Sequence, residues 1–557
     1  MGLGTALVVS LVVSGIAIFL ALPQAASPLV VSSDSGVRGA MHVHTRRSDG
    51  SGTPEQVAAA AAKAGLRFVV LTDHGDGTRT PARPAYHSGV LVIDAVEISA
   101  EDGHVIALGL SKSPYPLQGE ARDIVEDVAR MGGMSVAAHP GSAKRGLRWT
   151  DWTTRFDGLE WLNGDSESRD ERWTQLGRVL LTYPFRSAGS LGTMLDRPTA
   201  IFSRWDALTA RGRVVAVAGA DAHARLDVTG DDTTKGLTVL SVPGYESMFR
   251  TFSVTVTGVA LRRDADTDSA AILDAIRKGH LYSAVDVVAT PAAVTFTASR
   301  GGTTWTAGDF VSPEGGDIEL KVEHNGPMGS RIVLFKDGKE ATATTERPLR
   351  HSVSGTRGVY RAEIHAPGAP GDPAVPWVVT NPIYVRAEDE TPFKRGDAAQ
   401  TIALYGDGDA QGWRIEKSPR AQAALDVVRT IGGTELLMRW AIGGTEAESP
   451  YAAFAMPAGS AVSAYDRLLF TARSERPMRL SVQFRLANGE RWRRSVYLDE
   501  TARPFTVFFD DVRPAGTTSQ RRLTPGQMRD VLFVVDTVNT SLGASGQFWI
   551  DDVKYGR

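Results

Sequence analysis

The N-terminal half of the chain alternates short apolar runs with amphipathic segments, a pattern typical of alternating strands and helices. Thr53, Pro54 and Gln56 form a helix-start signal, and Gly65 fits the end of that helix. The runs that fit buried parallel strands are Leu66 to Leu71, Val90 to Val96, Met134 to Ala138 and Val214 to Ala218. We therefore predict an α/β fold for this half of the chain.

Beyond the α/β half, apolar residues recur with a period of two and no helical segment follows, which is typical of all-β units. Residues 318–322 alternate in this way, and Asp337-Gly338 is a hairpin-turn signal. We predict a small immunoglobulin-like sandwich over residues 291–386.

A second all-β unit is expected over residues 398–557. Residues 478–486 alternate up to Asn488-Gly489, and residues 492–498 return on the other strand of the hairpin. The strand spacing and the ending GQFWIDDVKYGR are similar to a galactose-binding-like jelly roll. That resemblance implies a carbohydrate or cell-wall ligand at this unit, and simple packing is the alternative.

Length and composition describe a multidomain chain of ordinary globular units. The 557 residues exceed what one hydrophobic core can organise, and a net charge of −3 gives no basic excess for nucleic-acid binding. No cysteine is present, so any metal must be bound by His, Asp and Glu.

The stretch Leu3 to Leu22 is apolar and uncharged, and it is long enough to cross a bilayer. Residues 1–27 therefore fit either a signal peptide or an N-terminal membrane anchor, and the sequence leaves both alternatives open. We expect an exported or membrane-anchored protein with its body outside the cytoplasm, although the flanking charges do not favour that orientation.

Polar residues recur where the predicted strands end, and the C-terminal ends of parallel strands meet at one mouth of a barrel. Nine candidate metal ligands fall at such places or near them: His42, His44, Asp49, His74, Glu97, His104, His139, Asp221 and His223. Each alone fits an ordinary hydrogen-bonded side chain. Together, imidazole and carboxylate groups suit Zn, Mn or Fe, and nine ligands exceed the needs of one ion. We predict two to three divalent ions, with Glu97 or Asp221 as the bridge.

The motifs HVHTRRSDG, LTDHGD, VEIS, AHP and DAH occur in an order and at spacings that resemble the polymerase and histidinol phosphatase (PHP) superfamily. The resemblance covers residues 38–290, with residues 143–212 as an insertion. It implies a distorted (β/α)7 PHP barrel, followed here by the two β-sandwich domains. It also implies hydrolysis of phosphoesters by a hydroxide generated at a centre of two or three metals.

The resemblance also implies a role for each ligand. One ion is expected on His42, His44, Glu97 and Asp221, a second on Glu97, His104 and His139, and a third on Asp49, His74 and His223. Glu97, His104, His139 and Asp221 are the expected catalytic residues, acting through the bound ions.

Four further residues are candidates for supporting roles. Asp73 is placed to orient an imidazole ring, and a structural turn is its alternative role. Arg79, Arg145 and Lys144 are candidates for binding a phosphate, and solvated surface cations are the alternative.

The 143–212 segment is rich in tryptophan. The tryptophans fit either a wall or lid over the barrel mouth, or ordinary core packing. They are Trp149, Trp152, Trp161, Trp173 and Trp205.

Three functions remain open on the sequence alone. The first is a metal-dependent phosphoesterase, the second is a hydrolase of carboxyl or carbamate esters at the same site, and the third is a surface carbohydrate-binding protein with a vestigial barrel. The complete ligand set argues against the third, because a decayed site is expected to have lost at least one ligand. The expected substrate is a small phosphoester or ester.

Overall fold

The computed structural model describes residues 19–31, 36–169, 173–224, 244–388, 395–406, 408, 410–431, 433–516 and 521–557. Within them the chain is mostly β, with several sheets and eight α-helices. The helices are Pro54–Lys63, Ala121–Arg130, Ser166–Arg169, Trp173–Thr182, Ser187–Gly192, Thr199–Thr209, Tyr245–Phe249 and Ala265–Lys278.

A barrel forms the N-terminal part of the structure. Round the ring its strands are Val37–Val43, Phe68–Leu71, Val90–Asp94 continuing into Val96–Ala100, Gly103–Leu108, Met134–Ala138, Gly158–Asn163 and Val215–Ala222. The last strand pairs with the first, which closes the ring. Most neighbours are parallel, as the apolar runs predict, but Gly103–Leu108 is antiparallel to both of its neighbours. A tight connection at Glu101 and Asp102 turns the chain straight back, and no crossover helix intervenes.

The segment predicted to be an insertion contributes a strand to this ring. Gly158–Asn163 pairs in parallel with Met134–Ala138 on one side and Val215–Ala222 on the other. Its sequence GLEWLN carries two polar residues and lacks β-branched residues, so the run does not stand out as a buried strand.

Helix Pro54–Lys63 begins at a capping box, as predicted. The Thr53 side chain accepts a hydrogen bond from the Gln56 backbone N–H, and the Gln56 side chain accepts one from the Thr53 backbone N–H. The helix buries Val57, Ala58 and Ala61 against the neighbouring strands. This helix fixes the direction of the loop that precedes it, and that loop carries part of the candidate site.

The tryptophans of the 143–212 segment divide between core and surface. Trp149, Trp161 and Trp205 are buried and Trp152 is partly buried against the same core, so they have the core-packing role. Trp173 is 88% exposed.

The barrel sheet continues into the middle part of the chain. Leu281–Ala284 pairs antiparallel with Val378–Thr380, and the Asn381 side chain both donates to the Ala216 carbonyl and accepts from its N–H. The further strands of this sheet are Ala85–His87, Ser253–Val256, Phe310–Val311, Arg331–Lys336, Lys339–Thr344, Gly358–His365 and Ile383–Val385.

A separate four-stranded sheet packs against that sheet across a shared apolar core. Its strands are Val294–Arg300, Thr303–Thr306, Ile318–His324 and Leu349–Val353. Ser27–Pro28 forms a short pair with Ala289–Thr290.

The C-terminal part consists of two six-stranded sheets that share one core. The first contains Thr401–Tyr405, Gln422–Thr430, Gly433–Ala441, Arg467–Ser474, Arg503–Phe508 and Ser545–Gly556. The second contains Arg414–Lys417, Tyr451–Pro457, Met478–Leu486, Arg491–Leu498, Arg513–Pro514 and Met528–Asp536. Three 3₁₀ turns complete the described elements: Glu446–Glu448, Ser460–Ala464 and Pro525–Gln527.

The second of these sheets is bound to the barrel through buried arginines. The Arg479 side chain is 1% exposed and donates two hydrogen bonds to Asp127, of 2.7 and 3.0 Å, and one of 2.8 Å to the Asp123 carbonyl. Arg494 pairs with Asp123 and Glu126. Arg513 forms a 2.7 Å ion pair with Asp151 of the barrel. Because Asp123, Glu126 and Asp127 lie on helix Ala121–Arg130, that helix is held between the barrel and the C-terminal sheet.

Most of the apolar stretch at the N-terminus, residues 1–18, lies outside the described residues. Among the residues that are described, no helix is both long enough and apolar enough to cross a bilayer.

Candidate metal centre

The structure brings all nine predicted ligands together at one end of the barrel. Their side-chain nitrogen and oxygen atoms form four overlapping groups, and within each group the atoms lie within 4.8 Å of one another. These groups are His44 with Asp49, His74 and His223; His42 with His139 and Asp221; His42 with His44 and Glu97; and His74 with Glu97 and His104.

Glu97 lies at the centre of the cluster and is 1% exposed. Its Oε1 is 2.9 Å from His104 Nδ1 and 2.8 Å from His139 Nε2. Its Oε2 is 3.3 Å from the Nε2 atoms of His42 and His44, and 3.2 Å from His74 Nδ1. One carboxylate therefore faces five imidazole rings, which is the position expected of a bridging ligand.

Asp221 faces the same pair of imidazoles from the other side. Its Oδ1 is 3.3 Å from His42 Nε2 and also 3.3 Å from His44 Nε2. The two carboxylates of Glu97 and Asp221 thus converge on the same two nitrogens.

Asp49 marks the open side of the cluster, since its side chain is 41% exposed. Its Oδ2 is 3.1 Å from His223 Nε2 and 3.6 Å from His74 Nε2, and its Oδ1 is 3.3 Å from His44 Nδ1. His42, His44 and Glu97 form a buried floor, whereas Asp49 and His74 face solvent.

Three ligands lie on strained backbone. His42, His139 and Asp221 have positive φ values of 63°, 31° and 47°, in the left-handed region that residues with a side chain rarely adopt. The pairing register of the first strand shifts between Ala40 and Val43, so His42 lies at an irregularity that redirects its side chain. Such strain persists only where surrounding structure enforces it, and it concentrates at functional sites.

The buried nitrogen atoms of the cluster are suited to binding metal ions. His42 Nε2 and His44 Nε2 are buried and make no hydrogen bond with any described residue, although carboxylate oxygens lie 3.3 Å away. Leaving a buried nitrogen without a partner is costly. A cation between the imidazoles and the carboxylates would satisfy both nitrogens, so the residues present fit the ions that the sequence predicts.

Without bound metal the cluster is held by opposite charges. Burial lowers the pKa of His42, but the carboxylates of Asp221, Glu160 and Glu97 outweigh burial and raise that pKa well above its ordinary value. Burial raises the pKa of Glu97, but the surrounding histidines outweigh burial and hold that pKa well below its usual range. His42 has the largest effect among these histidines. Both shifts favour the charged forms of His42 and Glu97 beside each other.

Glu160 is a member of the site that sequence analysis missed. It is buried on strand Gly158–Asn163, and its Oε1 is 2.7 Å from His42 Nδ1. Its Oε2 accepts 2.7 Å hydrogen bonds from the His139 backbone N–H and from Asn163 Nδ2. A Cβ at residue 219 would lie 1.7 Å from Glu160 Oε1, so Gly219 makes room for the carboxylate. Glu160 thus directs His42 Nε2 toward Glu97 and Asp221.

Among the described residues, the Asp73 carboxylate makes no hydrogen bond or ion pair with an imidazole. Its carboxylate accepts hydrogen bonds from the Thr45 backbone N–H at 2.7 Å, the Thr45 hydroxyl at 2.8 Å and the Ser48 hydroxyl at 2.9 Å. It therefore fixes the loop after His44, and the orienting role expected of Asp73 belongs to Glu160.

Arg79 is the predicted phosphate-binding cation that lines a cavity beside a predicted ligand, His74. Arg79 donates two hydrogen bonds to Asp94, of 2.8 and 3.2 Å, and lines a cavity of about 150 Å³ together with Arg47, Asp73 and His74. Arg145 and Lys144 lie in the loop after His139, where Arg145 is exposed and Lys144 is partly exposed. Arg47 is a second cation of this cavity that sequence analysis did not select.

Comparison with known proteins identifies one relative by sequence. The chain is 31% identical over 122 residues to a 3',5'-nucleoside bisphosphate phosphatase of Chromobacterium violaceum, a match that covers 20% of this chain and 43% of that protein. The chain thus spans less than half of the length of this curated relative. No family model matches the chain.

Comparison of structures finds carbohydrate-binding modules and an agarase. The Family 11 carbohydrate-binding module of the cellulase Lic26A-Cel5E of Clostridium thermocellum has a TM-score of 0.24 and 16% identity, over 29% of this chain and 97% of the module. An exo-beta-agarase has a TM-score of 0.21 and 13% identity, over 28% of this chain and 25% of the agarase. The carbohydrate ligand expected at the C-terminal unit stays a prediction.

Proposed function

We propose that this protein is a metal-dependent phosphoesterase whose centre of two to three divalent ions is held by the nine clustered residues. The observation that carries the proposal is the position of Glu97, buried and within 3.3 Å of five imidazole nitrogens. The partial similarity to a bisphosphate phosphatase supports the same class of reaction.

The proposed division of ligands is the one that the family resemblance implies. Glu97 and Asp221 would share one ion with His42 and His44, Glu97 would share a second with His104 and His139, and Asp49 would hold a third with His74 and His223. The closeness of Glu97 to the imidazoles of both of its proposed groups supports this division. Mn, Zn and Fe all accept such imidazole and carboxylate donors. When bound, ions of this kind lower the pKa of water to near neutrality and stabilise negative charge on a phosphoryl group.

Charge favours an anionic substrate. Three divalent ions carry about +6, against about −4 from Asp49, Glu97, Asp221 and Glu160, so a site loaded with three ions stays positive. A phosphoryl group, which gains negative charge as it reacts, is stabilised more by this field than a neutral carbamate is.

The protein's own residues determine how a substrate approaches. The buried floor of His42, His44 and Glu97 excludes solvent from below, so the substrate enters where Asp49 and His74 are exposed. Arg79 lies beside His74 in the adjoining cavity and is placed to bind a phosphate oxygen by exchanging one of its bonds to Asp94.

We also propose the finer architecture: a distorted (β/α)7 barrel of the PHP type over residues 38–290, an immunoglobulin-like sandwich over 291–386 and a galactose-binding-like jelly roll over 398–557. The ring of strands and the pairs of packed sheets support this division.

The test is an assay of the full chain, reconstituted separately with Mn²⁺, Zn²⁺ and Fe²⁺, on p-nitrophenyl phosphate, bis-p-nitrophenyl phosphate and a naphthyl carbamate. We expect a higher kcat/KM for a phosphoester than for the carbamate, competitive inhibition by inorganic phosphate and loss of activity on chelation. A higher kcat/KM for the carbamate, without inhibition by phosphate, would replace the proposal with a carbamate hydrolase.

A further inference from the structure

Exposed apolar side chains concentrate at one place on the surface, away from the metal centre's residues. Thirteen large apolar side chains are exposed among the described residues, and six of them belong to helix Trp173–Thr182 or to segments next to it. These six form what we call the apolar patch: Phe19, Leu20, Trp173, Leu180, Leu181 and Phe185.

The helix presents large apolar side chains to solvent, together with the exposed polar residues Thr174 and Arg178. Val179 and Thr182 are buried on one side, while Trp173, Leu180 and Leu181, at positions i, i+7 and i+8, lie together on the other side at 88%, 62% and 49% exposure. A soluble surface helix normally places polar residues on its exposed face. The three large exposed apolar side chains depart from this pattern, as is typical of a face that contacts another apolar phase.

The N-terminal segment runs along this helix. Arg178 donates hydrogen bonds of 3.4 and 3.3 Å to the Ala21 carbonyl, and Arg186 donates one to the Pro23 carbonyl. Phe19 and Leu20, 71% and 76% exposed, directly precede Ala21. Residues 19–22, the described end of the apolar stretch, thus lie next to helix Trp173–Thr182.

Two arginines belong to the segment that carries the apolar patch. Residues 173–195 contain Arg178 and Arg186 and no acidic residue, whereas Asp170 and Glu171 precede Trp173 in the sequence. Neither arginine is paired with a carboxylate among the described residues. Cations beside an apolar helix face favour the headgroup region of a bilayer, where lipid phosphates are acceptors and acyl chains receive the apolar side chains.

We infer that the apolar patch inserts into the interface of a lipid bilayer, so that the protein body rests on the membrane through helix Trp173–Thr182. The aromatic residues Trp173 and Phe185 suit this depth because their rings bury large apolar areas. This contact is independent of the proposed hydrolytic activity.

The experiment uses the absence of cysteine from the chain. Full-length protein carrying Leu181→Cys, labelled with a nitrobenzoxadiazole fluorophore, is reconstituted into vesicles of phosphatidylcholine and phosphatidylglycerol. Lys339→Cys, at an exposed position of the middle unit, is the matched control. We expect a blue shift at residue 181 and quenching of about half its emission by lipids spin-labelled near the headgroup, consistent with insertion by about 5–10 Å. The label at residue 339 should show neither effect.

Three results would overturn the inference. In the first, the label at residue 181 stays as exposed to water in vesicles as the label at residue 339. In the second, the label at residue 181 is shielded from water without lipid at every protein concentration. In the third, it is shielded from water only as the protein concentration rises. The second result would mean that the chain's own N-terminal residues cover the patch, and the third that a second copy does. As a further check, the protein is labelled at Trp173→Cys with and without the double change Leu180→Glu and Leu181→Glu. The double change should abolish quenching of this label by the spin-labelled lipids and leave the circular dichroism spectrum unchanged.

Discussion

At the scale of single residues, the metal centre depends on a carboxylate that is not among the nine predicted ligands. Glu160 orders His42 through Nδ1 and His139 through its backbone N–H. We expect Glu160→Gln to lower metal affinity about 10- to 100-fold, because the neutral amide holds the His42 ring and tautomer less firmly. Equilibrium dialysis with Mn²⁺ or Zn²⁺ measures this change. Glu314→Gln, at an exposed position, is the control and should leave affinity unaltered.

Protonation of the histidines should couple metal uptake to pH. Burial lowers the pKa values of His42 and His44, but neighbouring carboxylates outweigh burial and raise both well above the ordinary value, so both rings are protonated near neutral pH without metal. A nitrogen must lose its proton to bind an ion, and apparent affinity should therefore rise with pH while uptake releases protons. Titration calorimetry in two buffers of different ionisation enthalpy measures the release. Identical heats in both buffers would contradict this prediction.

The sequence was sufficient to select the nine clustered residues because histidines and carboxylates after apolar runs are conspicuous. It did not select Glu160, because a single glutamate in the run GLEWLN has no partner along the chain that signals its role. The contacts of Glu160 arise only when strand Gly158–Asn163 lies between strands Met134–Ala138 and Val215–Ala222. His139 directly follows the first of these strands, and its backbone N–H then reaches Glu160.

At the scale of elements, helix Pro54–Lys63 holds the loop of the metal centre through its capping box. Thr53→Ala removes the hydrogen-bond acceptor for the Gln56 backbone N–H and should destabilise the helix by about 1 kcal/mol. Amide exchange across residues 54–63 should accelerate about fivefold if local opening governs it. Thr174→Ala, at an exposed position of helix Trp173–Thr182, is the control and should leave exchange in 54–63 unchanged.

Elements with strong local signals were predicted well. The strand Met134–Ala138 occurs where the apolar run places it, and helix Pro54–Lys63 begins at the predicted capping box. Two features were not predictable from local pattern: the reversed direction of Gly103–Leu108 and the inclusion of Gly158–Asn163 in the ring. Both depend on which strands become neighbours, and that is decided by packing of the whole barrel.

At the scale of the whole molecule, the C-terminal unit and the barrel share buried ion pairs. Arg479→Ala removes the buried cation that Asp123 and Asp127 share, although Asp123 keeps its pair with Arg494 and Asp127 its pair with Arg130. We expect a loss of about 3 kcal/mol in the free energy of unfolding. Urea unfolding followed by circular dichroism measures the loss. Arg331→Ala breaks an exposed pair with Glu340 and should cost less than about 1 kcal/mol. Equal effects of the two changes would mean that the arginine contact does not fasten the units together.

The positive φ values of His42, His139 and Asp221 have a consequence for evolution of the whole chain. Glycine adopts this backbone without the cost of about 1 kcal/mol or more that other residues incur. Glycine alone at residue 42 would leave the buried carboxylates of Glu97 and Glu160 without their imidazole partner. A library selected only for thermal survival should therefore accumulate glycine at these three positions together with apolar replacements of their charged neighbours, whereas a library selected for catalysis should retain histidine and aspartate. The positions where the two selections diverge would trace the site without any knowledge of its substrate, because durability and chemistry make opposite demands there.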